Sequence, residues 1–173
     1  CLRISPPLII SEEQIEKACA IADQGFAYIL EQIKPGMTEI QVANQLDFYM
    51  RSLGATSVSF DTIVASGVRS AMPHGVASTK VIEKGDLITL DFGCYYEGYV
   101  SDMTRTFALG DPGEKLKEIH QVVLEAQLMV NAVAKAGMSG VELDAVARDY
   151  IASHGYGEAF GHSTGHGIGL EIH

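Results

Sequence analysis

Apolar residues recur at spacings of three, four and seven in two stretches of the chain, one before Lys34 and one before Lys135. This spacing marks the buried face of an amphipathic helix. In each stretch a glycine turn follows, and a second helical pattern then runs to Tyr49 or to Tyr150. The pattern therefore predicts a pair of helices joined by a short turn, twice in the chain.

The two helix pairs are copies of each other at a constant offset of 101 residues. The identities that keep this offset are Lys34/Lys135, Gly36/Gly137, Met37/Met138, Tyr49/Tyr150, Ser52/Ser153 and Gly54/Gly155. The apolar positions upstream keep it too, at Ile15/Leu116, Ala18/Ile119, Ala22/Val123, Ile29/Val130 and Ile33/Ala134. A register shared over the whole helix pair favours internal duplication over chance.

Capping signals stand at the predicted helix ends. Asp111 and Pro112 fit an N-cap followed by the first helical residue. Three pairs fit a capping box, in which side chains bond the unpaired N–H groups of the first turn: Ser11 with Gln14, Thr38 with Gln41, and Ser139 with Glu142. The glycines that stand where a helix commonly ends in a left-handed residue are Gly36, Gly54, Gly137 and Gly155.

Between the helix pairs the sequence is typical of β-structure. Val58–Ser66 alternates and is rich in β-branched residues, and Gly67–Gly75 suits a loop. Leu87–Tyr96 and Tyr99–Leu109 flank Glu97-Gly98, which fits a two-residue hairpin turn. We therefore expect an α+β fold, with helices packed on one face of a curved antiparallel sheet.

The duplication predicts two halves, the first over about residues 1–110 and the start of the second over about 111–173. If the copies are complete, a second β portion follows near the point where the sequence stops. Cys1 is not a methionine, and His173 falls within a Gly/His motif. We therefore expect this chain to be part of a longer protein.

Composition narrows the classes of function. The 173 residues carry 22 acidic and 12 basic side chains, for a formal charge of −10. No Lys/Arg cluster offers the basic face that nucleic-acid binding needs, and no apolar run approaches the ~20 residues of a membrane span. Cys1, Cys19 and Cys94 are too far apart for a thiolate zinc motif, so we expect free thiols in a reducing cytoplasm.

Two aspartates stand out in the predicted hairpin, because Asp is disfavoured in strands. With a two-residue turn, Asp91 pairs with Thr104 and Asp102 pairs with Gly93, which places the carboxylates diagonally on one side. Converging carboxylates repel, and a divalent cation between them relieves the repulsion. The alternative is a pair of solvated surface aspartates.

The Asp-Phe-Gly sequence at 91–93 also occurs in kinases, but their glycine-rich phosphate loop is absent.

Histidines supply the other candidate chemistry. His162, His166 and His173 lie in a glycine-rich segment that cannot form a stable helix, so the first two are not a helical zinc pair. A regular strand would place His166 and His173 on opposite faces, and only a bulge or turn lets them share a site. His74 stands between Pro73, which fixes one φ angle, and Gly75, which permits an unusual one. Taken alone, each histidine also suits an ordinary loop.

Asp91, Asp102 and one imidazole together make a mixed donor set. Such a set suits Mn²⁺, Co²⁺ or Zn²⁺ better than Ca²⁺ or a soft metal. Two carboxylates and one imidazole do not fill the coordination of two octahedral ions. A dinuclear site would need further carboxylates, most naturally from the second β portion.

Four motifs, in order, resemble the pita-bread metallopeptidases, and most closely their Xaa-Pro branch, aminopeptidase P and prolidase. The motifs are Met-Pro-His-Gly at 72–75, Leu-Asp-Phe-Gly at 90–93, Ser-Asp-Met-Thr-Arg-Thr-Phe at 101–107 and Gly-His-Ser-Thr-Gly-His-Gly-Ile-Gly-Leu-Glu-Ile-His at 161–173. The resemblance covers nearly the whole chain. It implies the pita-bread fold and hydrolysis of the peptide bond before proline.

The resemblance also implies roles for the metal-binding residues. Asp91 would bind one metal, Asp102 would bridge two metals, and His166 would bind the second. The ions in this family are usually manganese or cobalt, and the nucleophile is a hydroxide that bridges them. Two cations lower the pKa of a bound water and stabilise the developing oxyanion, so the chemistry agrees with the donor set.

Three further histidines would act on the substrate. His74 would lie near the scissile bond, His162 would contact the leaving-group side, and His173 would help to stabilise the tetrahedral intermediate. The substrate would be a peptide with proline at the second position, and we expect a homo-oligomer of the full-length protein.

The resemblance also implies parts that this sequence lacks. The family uses two further Glu ligands, which would lie beyond His173, and a non-catalytic N-terminal domain. We therefore expect the longer protein to be a Xaa-Pro peptidase and this chain alone to have little or no activity. Two alternatives are a methionine aminopeptidase, which shares the fold and ligands, and a metal-free pita-bread binding module, which the presence of all three predicted ligands disfavours.

Overall fold

The structure, a computed structural model, describes residues 11–173, so Cys1 lies outside the described part. These residues form two compact units. The larger unit contains the described residues up to Pro112 together with Ile168–His173, and the smaller unit contains Gly113–Gly167. Within the described part of the chain, no helix is both long and apolar enough to span a membrane.

Two helices open the larger unit, α1 (Glu12–Gln32) and α2 (Glu39–Ser52). Both begin with the predicted capping box, in which the Ser11 or Thr38 side chain accepts a hydrogen bond from a backbone N–H of the first turn. Their buried positions follow the helical spacing seen in the sequence. The most deeply buried of them are Ile21, Ala22, Ile29, Val42, Leu46 and Met50.

Six short strands follow: β1 (Ser57–Val58), β2 (Ile63–Ser66), β3 (Leu87–Phe92), β4 (Cys94–Tyr96), β5 (Tyr99–Val100) and β6 (Met103–Ala108). They form two antiparallel three-stranded sheets, in the orders β1-β4-β5 and β2-β3-β6. The helices and strands share one apolar core, to which the strands contribute Val64, Ile88, Leu90, Phe92 and Cys94. The expected mixed helix-and-sheet architecture with antiparallel strands is thus observed.

Each segment that the sequence indicates as one strand is divided in the structure. Val58–Ser66 contains the end of β1 and all of β2, Leu87–Tyr96 is divided at Gly93, and Tyr99–Leu109 is divided after Val100. The divisions coincide because one sheet ends there and the other begins. The sequence pattern alone did not indicate these points.

The division is centred on Gly93, where two backbone segments touch. A Cβ atom at this position would lie 1.8 Å from the carbonyl oxygen of Ser101 and 2.4 Å from the hydroxyl of Ser59. The Ser59 N–H donates to the Gly93 carbonyl over 3.1 Å, and the Ser59 hydroxyl donates to the Ser101 carbonyl over 2.9 Å. Only glycine permits so close an approach.

The hairpin keeps the predicted register on both sides of this contact. Asp91 stands opposite Thr104 in the β3–β6 pair, and Tyr96 stands opposite Tyr99 in the β4–β5 pair. Glu97-Gly98 forms the turn, with φ angles of 49° and 86°. Two successive positive φ angles are what a type I′ hairpin turn requires.

The smaller unit repeats the helix pair, as α3 (Glu114–Val133) and α4 (Gly140–Ser153), followed by a 3₁₀ helix at Gly157–Ala159. The bounds of α4 lie 101 residues beyond those of α2 at both ends. The capping box predicted at Ser139 is present. The unit buries a small core made of Val122, Ala126, Ala147 and Ile151.

The start of α3 differs from the prediction. Gly113, rather than Asp111, is the N-cap, and no side chain caps this end. Gly113 has a φ of 86°, which lies outside the helical region, so a helix cannot run from Pro112 through it. The Asp-Pro pair therefore precedes the helix instead of opening it.

The contact at Gly93 leads to a stability prediction. Gly93→Ala should lower the free energy of unfolding by at least about 3 kcal/mol, because the added methyl group meets backbone that cannot move without breaking both sheets. Urea unfolding of the protein followed by circular dichroism measures this change. Gly161→Ala is the control, since its Cβ would meet no atom within 4 Å. Equal midpoints for the two variants would contradict the account.

Candidate active site

Asp91 lies in β3, in the larger unit, with its side chain partly exposed. The hydroxyl of Thr104, its partner across the β3–β6 pair, donates to Asp91 Oδ1 over 2.9 Å. The cross-strand hydrogen bond fixes one carboxylate oxygen on a rigid strand. A carboxylate held in this way is suited to binding a cation.

Asp102 lies at the break between β5 and β6, so the strand pairing does not set the direction of its side chain. It lines a largely apolar cavity of about 250 Å³, together with residues of α1 and β5. The predicted pairing of Asp102 with Gly93 falls outside both strands. The alternation of side chains along a strand, which predicts that the two aspartates lie on one side, therefore does not apply at Asp102.

His74 lies in a loop that follows a 3₁₀ helix at Gly67–Ala71, and its side chain is exposed. The turn around it is closed by hydrogen bonds from the Gly75 N–H to the Met72 carbonyl and from the Val76 N–H to the His74 carbonyl. Gly75 does not use the unusual φ that glycine permits, because its φ is not in the left-handed region. Glycine is needed there for space, since a Cβ would lie 2.9 Å from the Cβ of Ala65.

The loop that carries His74 is tied to a buried carboxylate. Glu39, the first residue of α2, is 0% exposed. It accepts hydrogen bonds from the backbone N–H and hydroxyl of Ser66, at 2.8 and 2.9 Å, and from those of Ser78, at 3.1 and 2.6 Å. Arg69 donates its Nε–H to the same carboxylate over 3.0 Å. Burial acts to raise the pKa of Glu39, but the hydrogen bonds from Ser78 and Ser66 outweigh it and lower the pKa.

A second ion pair extends this network. Lys80 donates from Nζ to the Ser66 hydroxyl over 2.9 Å and to Asp86 Oδ2 over 2.8 Å. The Arg69 guanidinium also donates from Nη2 to the Val76 carbonyl over 2.8 Å, across the turn that contains His74. The residues from Ser66 to Lys80 are thereby joined at both ends to the start of α2.

In the smaller unit, Asp144 and Arg148 of α4 hold the segment that contains His162. Asp144 accepts from the backbone N–H and the hydroxyl of Thr164, each over 2.9 Å. Arg148 donates to the carbonyls of Phe160 and His162, at 2.8 and 3.1 Å, and to Asp144 Oδ2 over 2.6 Å. The hydrogen bond from Arg148 is the largest influence on Asp144, and together with Thr164 it lowers the pKa of that carboxyl to about 2.

His162 and His166 are both exposed, and the Nδ1 atom of each lies within hydrogen-bonding distance of the next residue's carbonyl, at 3.0 and 3.1 Å. A carbonyl only accepts, so Nδ1 is the donor in each of these hydrogen bonds. Neutral imidazole with its lone pair on Nε2 is a common metal ligand.

His173 lies in the larger unit, whereas His162 and His166 lie in the smaller one. The chain between Gly165 and His173 forms no helix or strand, so the alternation of a regular strand does not apply to His166 and His173. Gly169 fixes part of this path, because its carbonyl accepts from the Val100 N–H of β5 over 3.0 Å and its own N–H donates to the Glu171 carbonyl over 3.1 Å.

The predicted metal ligands are divided between the units, with Asp91 and Asp102 in the larger and His166 in the smaller. Among residues 11–173, no group of three or more His, Cys, Asp or Glu side chains is placed to hold a metal ion. The residues described therefore do not by themselves fit a dinuclear metal centre. They supply donor types that suit one, and further ligands are needed.

The network of Glu39 and the pair formed by Asp144 and Arg148 were missed in the sequence. Glu39 looks like an ordinary acid in a first helical turn, a position that is usually exposed. The repeat does contain a signal for Glu39. Gly140 stands at the equivalent position of the second copy, so the helix pair itself does not need an acid there. Asp144 and Arg148, four residues apart, look like a surface helix pair.

A sequence profile of metallopeptidase family M24 matches residues 13–173. An uncharacterised peptidase of Bacillus subtilis, YqhT, is 62% identical over 96% of this chain and 48% of the relative. The Xaa-Pro dipeptidase of Pyrococcus horikoshii is 52% identical, again over 96% of this chain and 48% of the relative. The chain thus spans about half the length of the curated relatives that it matches.

Solved structures give the same picture. A Xaa-Pro dipeptidase from Bacillus anthracis superimposes with a TM-score of 0.92 at 62% identity, over 96% of this chain and 48% of that one. Prolidase from Pyrococcus furiosus gives 0.91 at 50% identity, over 96% of this chain and 50% of that one. The expected resemblance and the pita-bread fold are confirmed for the half that this chain covers.

The salt bridge in α4 leads to a prediction about pH. Arg148→Gln should raise the pKa of Asp144 from about 2 toward the ordinary 3.8, because Arg148 is the main cause of the lowering. Since the folded pKa is depressed, the contribution of Asp144 to stability is complete above 3.8 and is lost as the pH falls toward 2. Carbon-13 NMR of the carboxyl groups measures the midpoint.

Lys117→Gln is the matched control, since Lys117 pairs with Glu114 at the other helix of the unit. In this variant the pKa of Asp144 should equal its value in the unsubstituted protein. An unchanged midpoint in Arg148→Gln would contradict the assigned cause.

Proposed function

Because the chain belongs to metallopeptidase family M24, we propose that the whole protein containing it hydrolyses the peptide bond before proline in Xaa-Pro peptides. The likeness to the Bacillus anthracis Xaa-Pro dipeptidase, at 62% identity and a TM-score of 0.92, carries this proposal. The substrate is a peptide with proline at its second position. Residues 1–173 form part of the catalytic domain, with the first half over about 1–110 and the start of the second over about 111–173.

The family implies divalent metal ions. The proposed site of the whole protein holds two of them, most consistently Mn²⁺, with Asp91, Asp102 and His166 among the ligands and with carboxylates from outside this chain. Such ions supply Lewis acidity and an activated water. What supports the ligand assignment is the donor chemistry, together with the Thr104 hydrogen bond that fixes Asp91 and the Nδ1 hydrogen bond that orients the ring of His166.

Three histidines complete the proposed site. His74 contacts the substrate near the scissile bond, and a loop with both ends anchored suits that role because substrate contacts require fixed geometry. His162 faces the leaving group, and its backbone carbonyl is held by Arg148. His173 donates to the developing oxyanion. We further propose a homo-oligomer in the cytoplasm, which agrees with the free thiols of Cys19 and Cys94.

Asp91→Asn and Asp102→Asn should each lower kcat/KM of the whole protein for a Xaa-Pro dipeptide by more than about 100-fold. Losing even an outer partner of a metal ligand commonly costs 10–100-fold, so loss of a ligand should cost more. Both variants should also reduce the heat of Mn²⁺ binding in calorimetric titration. Asp61→Asn is the control, because Asp61 is an exposed aspartate of the same unit outside the proposed site.

Two other results would redirect the assignment. Faster turnover of a Met-Ala peptide than of a Xaa-Pro peptide would favour a methionine aminopeptidase. Absence of both activity and Mn²⁺ heat in the unsubstituted protein would favour a metal-free binding module.

The 173-residue chain alone should show little or no Xaa-Pro hydrolysis when Mn²⁺ is added. The reason is that Asp91, Asp102 and His166 are too few ligands for two metal ions, so the proposed site needs carboxylates from outside this chain. The measurement is release of free proline by the purified chain, compared with the whole protein at equal concentration. Substantial hydrolysis by the chain alone would contradict the need for outside ligands.

A further inference from the structure

The loop from Gly67 to Ala77 has little apolar burial to order it. Val68 is 90% exposed, Met72 is 48% exposed and Val76 is 47% exposed. A surface loop whose apolar side chains face solvent would ordinarily sample many conformations. Its order must therefore come mainly from polar contacts.

The polar contacts that tie the loop to α2 converge on one side chain. Glu39 receives hydrogen bonds from Ser66 at the start of the loop, from Ser78 at its end and from Arg69 within it. Placing a carboxylate at 0% exposure costs free energy, which is recovered only when all its lone pairs are satisfied in good geometry. Because the hydrogen bonds that satisfy this buried charge come from the loop and its two ends, they favour the one loop conformation in which all of them form.

The helix pair itself does not require this carboxylate. The smaller unit builds the same pair of helices with Gly140 at the position equivalent to Glu39. Its α4 begins with the same kind of capping box as α2. The two copies thus differ in the first turn of the second helix. In the larger unit, Glu39 in this turn binds the loop that carries His74.

We propose that Glu39 is a positioning residue for His74, acting through Ser66, Arg69 and Ser78 to fix the loop on which His74 meets the substrate. This proposal rests on the proposed function, because it assigns His74 to substrate contact. It adds that the carboxylate of Glu39, which is enclosed beneath the loop, determines catalytic efficiency without touching the substrate.

The activity test is a double-mutant cycle in the whole protein with a Xaa-Pro dipeptide. Glu39→Gln should lower kcat/KM by about 100-fold, the size of effect that a displacement of about 1 Å produces. In a His74→Ala background the same substitution should change kcat/KM by less than about three-fold, because the residue being positioned is already absent. Glu118→Gln, which breaks an exposed ion pair with Lys115, should have no effect in either background. Additive effects of Glu39→Gln and His74→Ala would overturn the proposal.

A second readout does not depend on activity. Amide hydrogen exchange of residues 67–77 should become at least ten-fold faster in Glu39→Gln, while α1 and β3 exchange as before. If Glu39→Gln does not fold, Ser78→Ala removes one hydroxyl donor to the carboxylate and should speed exchange in the same residues. Unchanged exchange in the loop would overturn the proposal.

The two readouts separate this proposal from the proposed function. Suppose that Glu39→Gln speeds loop exchange but the whole protein does not hydrolyse Xaa-Pro peptides. The proposed function would then be refuted, and the assignment of His74 to substrate contact would fall with it. The finding that Glu39 holds the loop would stand. Hydrolysis that is unaffected by Glu39→Gln would leave the function intact and refute the positioning role.

Discussion

Gly93 passes so close to Ser59 and Ser101 that no side chain can stand at position 93. This contact decides how the hairpin is used. A single two-stranded ribbon from β3 through β6 would place its residues on two faces by simple alternation. Because the ribbon is divided at Gly93, β3 and β6 pair with β2 in one sheet while β4 and β5 pair with β1 in the other. Asp91 then lies one residue before the end of β3, and Asp102 lies in the break between β5 and β6.

The second constraint is that the loop that carries His74 and the segment around His162 are both held by charged side chains. In the larger unit the carboxylate of Glu39 joins both ends of the His74 loop, and in the smaller unit Asp144 and Arg148 join the segment around His162 to α4. The hydrogen bonds that Glu39 and Asp144 accept lower the pKa values of these carboxyl groups. Both therefore stay ionised, and keep these contacts, at pH values well below neutral. Such tethers hold the backbone of each loop while leaving the His74 and His162 side chains exposed to solvent.

The sequence was sufficient for the features that depend on local chemistry. The capping boxes at Ser11, Thr38 and Ser139, the hairpin turn and the Asp91–Thr104 register each follow from a few neighbouring residues, and each is present. It was insufficient where the decisive contact joins distant segments. Nothing near Gly93 indicates that Ser59 will bond to it, and nothing near Glu39 indicates a partner at Ser78.

The same limit applies at the site. Glycine permits an unusual φ at position 75, but the structure needs it for space beside Ala65, which only the packing of the loop on β2 reveals. The donor types of Asp91, Asp102 and His166 follow from the sequence, whereas nothing in the sequence fixes how the segments that carry them are placed. Donor chemistry can be inferred from sequence motifs, and coordination geometry cannot.

Burial in the two copies of the helix pair gives a physical reason to expect a second β portion. Ala22 of α1 is 1% exposed because the larger unit packs its helices against strands. Its counterpart 101 residues later, Val123, is apolar and yet 52% exposed. Ile29 is 0% exposed, whereas its counterpart Val130 is only partly buried. The second copy has kept the apolar positions that pack against strands in the first, and a sequence under no demand to bury them would have no reason to keep them.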